Sequence, residues 1–425
     1  MFQTIKSAWR IPEMRKKILY TLLMMVIFRL GSNIPVPGIN RTLLNNMFSA
    51  NDAGIFGLFD LFSGGSFSQF TIFALSITPY ITASIVLQLL TVAIPKLEEL
   101  AQQGEEGRRK IAQLTRYITV VLALIQAVGY TFGLFRSVLT YNDIFSKIVI
   151  VLVLVAGTAF LMWLGERINE NGIGNGISLI IFAGIVSRIP TAITSTFDGL
   201  SAGTISVISV ILFCIFALAV IVGIILVQEG TRKIPVQYAK RVVGRKMYGG
   251  QNTHIPIRVN QGGVIPVIFA VSMLQIPATI AYMAPNSGFA SFYSKYLSAN
   301  GNPGFWVYFI CELVMILFFT YFYSAISFDA GQIAENMKNN GGFIPGIRPG
   351  KPTQDYISKV SHRLDFVSAI FLALVAAMPT LLQHWTSLPI HFGGTSLIIA
   401  VGVALETMKA IETQMMMRSY SGFLK

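Results

Sequence analysis

Ten apolar stretches dominate the chain, at 18–34, 70–93, 115–135, 147–165, 177–195, 206–228, 263–283, 305–327, 364–382 and 393–412. A helical bilayer crossing takes about 20 predominantly apolar residues, so each stretch predicts one membrane helix. The pattern predicts an all-α polytopic membrane protein of ten transmembrane helices. Both termini fall on one side because the number of crossings is even. Five stretches precede the connection 196–205 and five follow it. An odd number per half sets two repeats in opposite orientation. No residue-level repeat is visible, so two pseudo-symmetric inverted halves rest on topology alone. On this division 1–17 is an amphipathic N-terminal segment with Trp9, and 18–195 is the N-terminal half. A hinge follows at 196–205. The C-terminal half is 206–412, with hydrophilic loops 229–262 and 328–360, and 413–425 is a tail.

Composition fits this class. A charged fraction of 12%, a hydrophobic fraction of 53% and a mean hydropathy of +0.64 describe a membrane protein, not a soluble domain. Charge then orients it. Of the 32 Lys and Arg, 26 fall in the N-terminal tail, the loops on its side and the C-terminal region. Only Arg41, Arg136, Lys147, Arg188 and Lys295 fall on the other side, and Arg29 lies inside a stretch. This positive-inside distribution places both termini and the large loops in the cytoplasm. No small-residue cleavage site follows the first stretch, so no cleavable signal peptide is expected. Cys214 and Cys311 lie in apolar stretches without a CxxC partner and read as packing residues.

Two stretches are unusually polar. The second holds Thr78, Pro79, Tyr80, Thr82, Ser84, Gln88 and Thr91; the seventh holds Pro266, Ser272, Gln275 and Pro277. Such helices fit poorly against lipid all round and face protein or a polar cavity. A shared interior path explains them, and so do kinked helices buried in a bundle. Residues 52–69, on the outer side, are too short to cross and rich in Phe and Gly, with two charges, Asp52 at the edge and Asp60 inside. Their apolar face is buried in the headgroup layer or in the mouth of the protein. Catalytic signatures are missing: there is no GxxxxGK[ST], HExxH or GxSxG. His254, His362, His384 and His391 have no ligand spacing, so neither metal nor cofactor is expected. GIGNG at 172–176 follows a membrane stretch, not a strand, and reads as a tight cytoplasmic turn. No ATPase of its own is therefore expected.

The strings PVPGI (35–39), LFSGGS (61–66), TPYITASIVLQLLTV (78–92) and GEEGRRKIAQLTRY (104–117) resemble the SecY/Sec61-alpha family of protein translocation channels. So do MWLGERINENGIGNGISLIIFAGIV (162–186), YAKRVVGRKMYGGQNTHIPIRVNQGGVIPVIFA (238–270), FIPGIRPGKPT (343–353) and FGGTSLII (392–399). The similarity covers nearly the whole chain in order; residues 286–303 and the last few match least. The resemblance implies a mid-membrane ring of Ile77, Ile81, Ile177, Ile181, Ile268 and Ile399. Within it, 77/81 and 177/181 are i,i+4 pairs, each on one helix face. Stiff β-branched side chains suit a narrow gasket that dewets.

The resemblance further implies that 54–68 is a plug half-helix. It carries Ile55, Phe56, Leu58, Phe59, Asp60, Leu61 and Phe62, with Gly64 and Gly65 as hinges. The second and seventh helices become the sides of a lateral gate, through which signal sequences and membrane segments of nascent chains leave for the lipid bilayer. Thr82, Thr91, Gln126, Gln275 and Ile276 lie along that seam. Two basic tips become docking sites for the SecA motor ATPase or for the ribosome, whose RNA phosphates attract cations. One is Lys240, Arg241, Arg245 and Lys246 around Gly244; the other is Arg348, boxed by Pro345, Gly346, Pro349 and Gly350. Small SecE and SecG membrane subunits complete the implied complex in the bacterial plasma membrane.

Three classes of function compete: a protein-conducting channel, a secondary transporter with inverted repeats, and an intramembrane enzyme. A transporter places coupling charges at mid-depth. The candidates here, Arg29, Glu312 and Glu406, lie near stretch ends, which favours the channel. The enzyme lacks a nucleophile or metal constellation.

Overall fold

The computed structural model describes all residues except 1, 50–59, 61–62, 142, 204–205, 239–240, 244–245, 249–251, 285–286, 299–302, 386–393 and 423–425. In lipid every backbone polar group needs a partner inside its own segment, so apolar stretches become helices. The N-terminal part contains α1 (Phe2–Arg10), α2 (Pro12–Gly31), α3 (Arg41–Ser49), α4 (Thr78–Ala93) and α5 (Pro95–Gln102). It continues with α6 (Glu105–Gly129), α7 (Ile144–Asn171), α8 (Gly176–Ser187) and α9 (Ile189–Ser201). A π-helical turn, Tyr130–Leu134, closes α6. Then come α10 (Val207–Glu229), α11 (Ile265–Met283), α12 (Gly288–Tyr296), α13 (Gly304–Ser327), α14 (Ala330–Asn339), α15 (Lys351–Trp385) and α16 (Gly394–Gly422).

Each of the ten apolar stretches contributes a helix: α2, α4, α6, α7, α8, α10, α11, α13, α15 and α16. Among the described residues seven helical runs are long and apolar enough to cross a bilayer, or eight if α4 and α5, bent by 102°, form one span. The other two helices fall short for local reasons. Arg15, Lys16, Lys17 and Arg29 interrupt α2, and the apolar part of α11 is only Ile265–Ala281. The chain is an all-α, multi-pass membrane protein.

Three details differ from the periodic pattern. The stretch 70–93 is helical only from Thr78; before it the chain folds back in turns. Phe70 (φ 44°) and Ser76 (φ 54°) adopt the left-handed conformation, which interrupts a helix. This turn is pinned on both sides. The Val36 N–H donates to the Phe70 carbonyl at 3.1 Å and the Ile72 N–H to the Ile34 carbonyl at 3.0 Å. A Cβ at Gly157 of α7 would overlap the Ile72 carbonyl oxygen, so only glycine lets α7 approach. Second, the stretch 177–195 divides at Arg188, with Pro190 opening α9. Third, loop 229–262 is a β-ribbon. Strand β1 (Thr231–Tyr238) pairs antiparallel with β4 (Asn252–Arg258), from Thr231↔Arg258 to Gln237↔Asn252. Beyond them β2 (Arg241–Val243) pairs with β3 (Lys246–Tyr248). Strand β5 (Gly342–Phe343) adds to β1, giving the order β4-β1-β5.

The main core lies where α2, α4, α7, α8, α10, α11, α13, α15 and α16 converge. A second cluster packs Phe67, Phe70, Tyr130 and Phe135. A third joins Ile234, Val236, Ile257, Met337, Ile344 and Ile357, so the two large hydrophilic loops share one small hydrophobic core.

Candidate functional site

The six ring isoleucines come from four helices and meet in the main core. Ile77, Ile81, Ile181, Ile268 and Ile399 are buried in it, and Ile177 packs half-buried against it. Ile399 is fully buried. Local sequence sets each approach. Ile77 is the N-terminal flanking residue of α4, held where the folded-back turn hands over to helix at Pro79. Ile177 lies in the first turn of α8, next to Asn175, whose Oδ1 accepts from the Ile177 N–H (3.1 Å) and the Ser178 N–H (3.3 Å). The GIGNG segment is thus the tight turn between α7 and α8, with Gly174 at φ +81°. Ile185, one turn beyond Ile181, is equally buried in the cluster. Motif reasoning did not single it out, although the i,i+4 spacing from Ile181 signals it.

Of the plug residues, Asp60, Gly64 and Gly65 are described; Ile55, Phe56, Leu58, Phe59, Leu61 and Phe62 lie outside the described residues. Asp60 is 4% exposed and doubly held. Its Oδ1 accepts from the Ser68 N–H at 2.8 Å, and its Oδ2 accepts from Arg188 Nη2. Arg29 Nη1 donates to the Gly64 carbonyl at 3.0 Å and to Ser187 Oγ at 3.2 Å. Gly64 (φ +64°) touches the α8 backbone; a Cβ there would come within 2.7 Å of Gly184 Cα. Two arginines in or beside apolar helices therefore clasp one segment. The sequence offered Asp60 but gave Arg188 and Ser187 no role.

The lateral seam is an assembled feature. Helix α11 packs against both α4 and α6. Thr82 and Thr91 donate to the carbonyls of Thr78 (3.1 Å) and Leu87 (2.7 Å) in their own helix. Gln275 is buried with its Nε2 unpartnered, whereas Gln126 and Ile276 are half-buried. A seam with an unsatisfied amide and self-satisfied hydroxyls has little interhelical hydrogen bonding to lose on opening.

In the loop 229–262, Arg241 opposes Tyr248 and Lys246 opposes Val243 at the ribbon end; Lys240, Gly244 and Arg245 lie outside the described residues. Arg348 is exposed on a turn fixed by Gly346 (φ +83°), Gly350 (φ +100°) and the Thr353 hydroxyl, which donates to the Arg348 carbonyl at 2.8 Å. That turn is rooted by Ile344 in the core shared with the ribbon.

These features define a class: a multi-pass helical membrane protein built around one apolar centre, with a folded-back segment clasped beside it and a basic platform of two large loops. The family model for SecY matches residues 71–408. The chain belongs to the SecY family. The protein translocase subunit SecY of Halalkalibacterium halodurans is 47% identical, with 100% of each chain covered. That of Bacillus subtilis is 46% identical over 100% of both, and that of Thermotoga maritima 43% over 100% of this chain and 98% of its own. A solved structure described as that of a protein conducting channel has the same fold, with a TM-score of 0.68 at 18% identity, over 94% of this chain and 92% of that one. Sec61 from a canine ribosome–channel complex is similar with a TM-score of 0.64 at 16% identity, over 94% and 92%.

Proposed function

We propose that this chain is the protein-conducting channel of a bacterial Sec translocon. It passes unfolded secretory proteins across the plasma membrane and releases signal sequences and membrane segments sideways into lipid. One observation carries the reading: isoleucines from α4, α8, α11 and α16 meet in a single buried apolar cluster at the centre of a SecY-family chain. Such a cluster is a dry seal, and stiff β-branched walls give it a fixed bore. Ile77, Ile81, Ile181, Ile268 and Ile399 form the seal, with Ile177 at its cytoplasmic edge. Segment 54–68 is the plug, and the clasp on Asp60 and Gly64 holds its end. The seam between α4 and α11, with α6 alongside, is the lateral gate. Both termini and the basic platform face the cytoplasm, as the charge distribution supports. Arg348 docks the SecA motor, and the ribbon tip with Lys240, Arg241, Arg245 and Lys246 docks the ribosome. SecE and SecG are the small membrane partners.

The test is transport in reconstituted vesicles holding the full-length chain and those partners. An unfolded secretory precursor supplied with motor and ATP becomes protected from external protease. Uptake of small solutes without precursor protection would instead support a secondary transporter.

A further inference from the structure

Between the cytoplasmic ends of α10, α13 and α16 and the linker 258–263 lies a half-open cavity of about 140 Å³. Two of its lining side chains, Gln228 and Asn260, are more than nine-tenths buried. Each has a polar atom without a partner: the Gln228 amide nitrogen and the Asn260 amide oxygen. The other half of the Asn260 amide is engaged, donating to the Gly263 carbonyl at 2.9 Å. Gln228 is held by close packing; a Cβ at Gly402 would come within 2.7 Å of its nitrogen. A buried donor and a buried acceptor left unpaired are each costly, and the two side chains that carry them line the same small space. Arg258, Glu406 and Lys409 also line it, with both cations near enough to act on the carboxylate.

The position matters as much as the chemistry. Glu406 lies two helical turns beyond Ile399 on α16, on the same face through Val403. Ile265, also in the lining, lies one turn before Ile268 on α11. At 1.5 Å per residue the cavity sits about 10 Å to the cytoplasmic side of the ring. A chain heading for the ring passes this wall.

We propose that the cavity is a backbone-binding subsite for the entering polypeptide. Gln228 donates to a peptide carbonyl, and Asn260 accepts from a peptide N–H. The proposal rests on the channel reading above. An extended chain carries one acceptor and one donor per residue, which is the pair this wall lacks. A free anion would leave Asn260 unpaired, and a free cation would leave Gln228 unpaired. The cavity is too small for a helix, roughly 10 Å across. Recognition of backbone is blind to sequence, as a channel with many substrates requires. Arg258, Lys409 and Glu406 offer partners to neighbouring side chains of either sign. One or two neutral hydrogen bonds hold a residue weakly enough to let it leave.

The test places the photoreactive amino acid p-benzoylphenylalanine at Tyr323, which lines the cavity, in the full-length reconstituted chain. A precursor with a folded C-terminal domain is stalled in transit, and protease protection of its N-terminal part verifies the intermediate. Illumination is expected to join position 323 to the stalled precursor. Gln228→Met deletes the unpartnered donor while keeping the side-chain length. It is expected to lower the adduct yield about fivefold, the worth of one neutral hydrogen bond, with no loss of thermal stability. If that variant does not fold, Gln228→Glu, of the same shape with no donor, carries the same expectation. An adduct to lipid, no adduct from a protected intermediate, or an undiminished yield in the Gln228 variant each overturns the subsite. If no protected intermediate forms with the unsubstituted chain, the channel reading fails first, and the subsite falls with it.

Discussion

Ile399 has no exposed surface and packs in the central apolar cluster. Ile399→Asn would place an amide among those apolar side chains, at about 1–3 kcal/mol when such a buried group is left unsatisfied. Wetting the seal relieves that penalty, so the open form gains. Ion conductance of the reconstituted channel and export of precursors with weak signals should both rise; unchanged values would remove Ile399 from the constriction. Asp60 tests the clasp in the same way. Asp60→Ala leaves Arg188 without its carboxylate; the Arg188 side chain is 28% exposed, so the cost is below the roughly 3–5 kcal/mol of breaking a fully buried pair. The expected result is a raised resting ion leak, with Asp60→Asn intermediate because its amide oxygen still accepts from Ser68. Equal leak in all three forms would mean that the clasp does not hold the channel shut. Asp60 stood out in the sequence as the lone charge within 54–68. Its partner did not, because Arg188 is 128 residues away and local pattern carries no trace of such a pairing.

Among elements, the helices were readable because the bilayer imposes a minimum apolar length. Their interruptions were less so. Nothing in the composition of 70–93 marks residues 70–77 as a folded-back turn; left-handed Phe70 and Ser76 are imposed by packing on α2 and α7. The β-ribbon did leave a signal, since Ile234 and Val236 alternate with exposed residues in β1. Only two inward positions in eight residues carry this period-two pattern, too few to stand out in a loop dominated by basic charge. The polar content of α4 and α11, in contrast, marked them as helices that face protein or a polar cavity, and the two are in contact. Cysteines at Thr82 and Ile276, in a background with Cys214 and Cys311 replaced by Ser, test the seam. A disulfide needs Cα atoms within about 7 Å, so oxidation should lock the two helices and stop export. Reduction should restore it, and a long flexible bismaleimide should permit it. Efficient crosslinking with export intact would show that these helices need not part.

At the scale of the whole molecule, the two large hydrophilic loops read in the sequence as separate basic tips, yet they stand on one hydrophobic core and share a sheet. Only tertiary structure joins residues so far apart. The exposed Arg348 still projects from its own rigid turn, so its charge can be reversed without touching that core. Arg348→Glu should abolish motor-driven export while leaving assembly and ribosome binding intact. Arg241→Glu with Arg245→Glu should mainly weaken ribosome binding, with a steep salt dependence. Equal loss of both activities in each variant would mean a single docking surface.

The central claim is that polypeptide passes through the isoleucine ring, and site-specific disulfide trapping tests it most directly. Single cysteines replace Ile81, Ile181, Ile268 or Ile399 in the Cys214→Ser, Cys311→Ser chain, and a stalled precursor carries one cysteine moved residue by residue. All four ring positions should trap the same short window of the precursor. Leu212, exposed on α10 away from the core, should trap none when replaced by cysteine. Trapping at Leu212 with none at the ring would place the path outside the apolar centre and contradict the account.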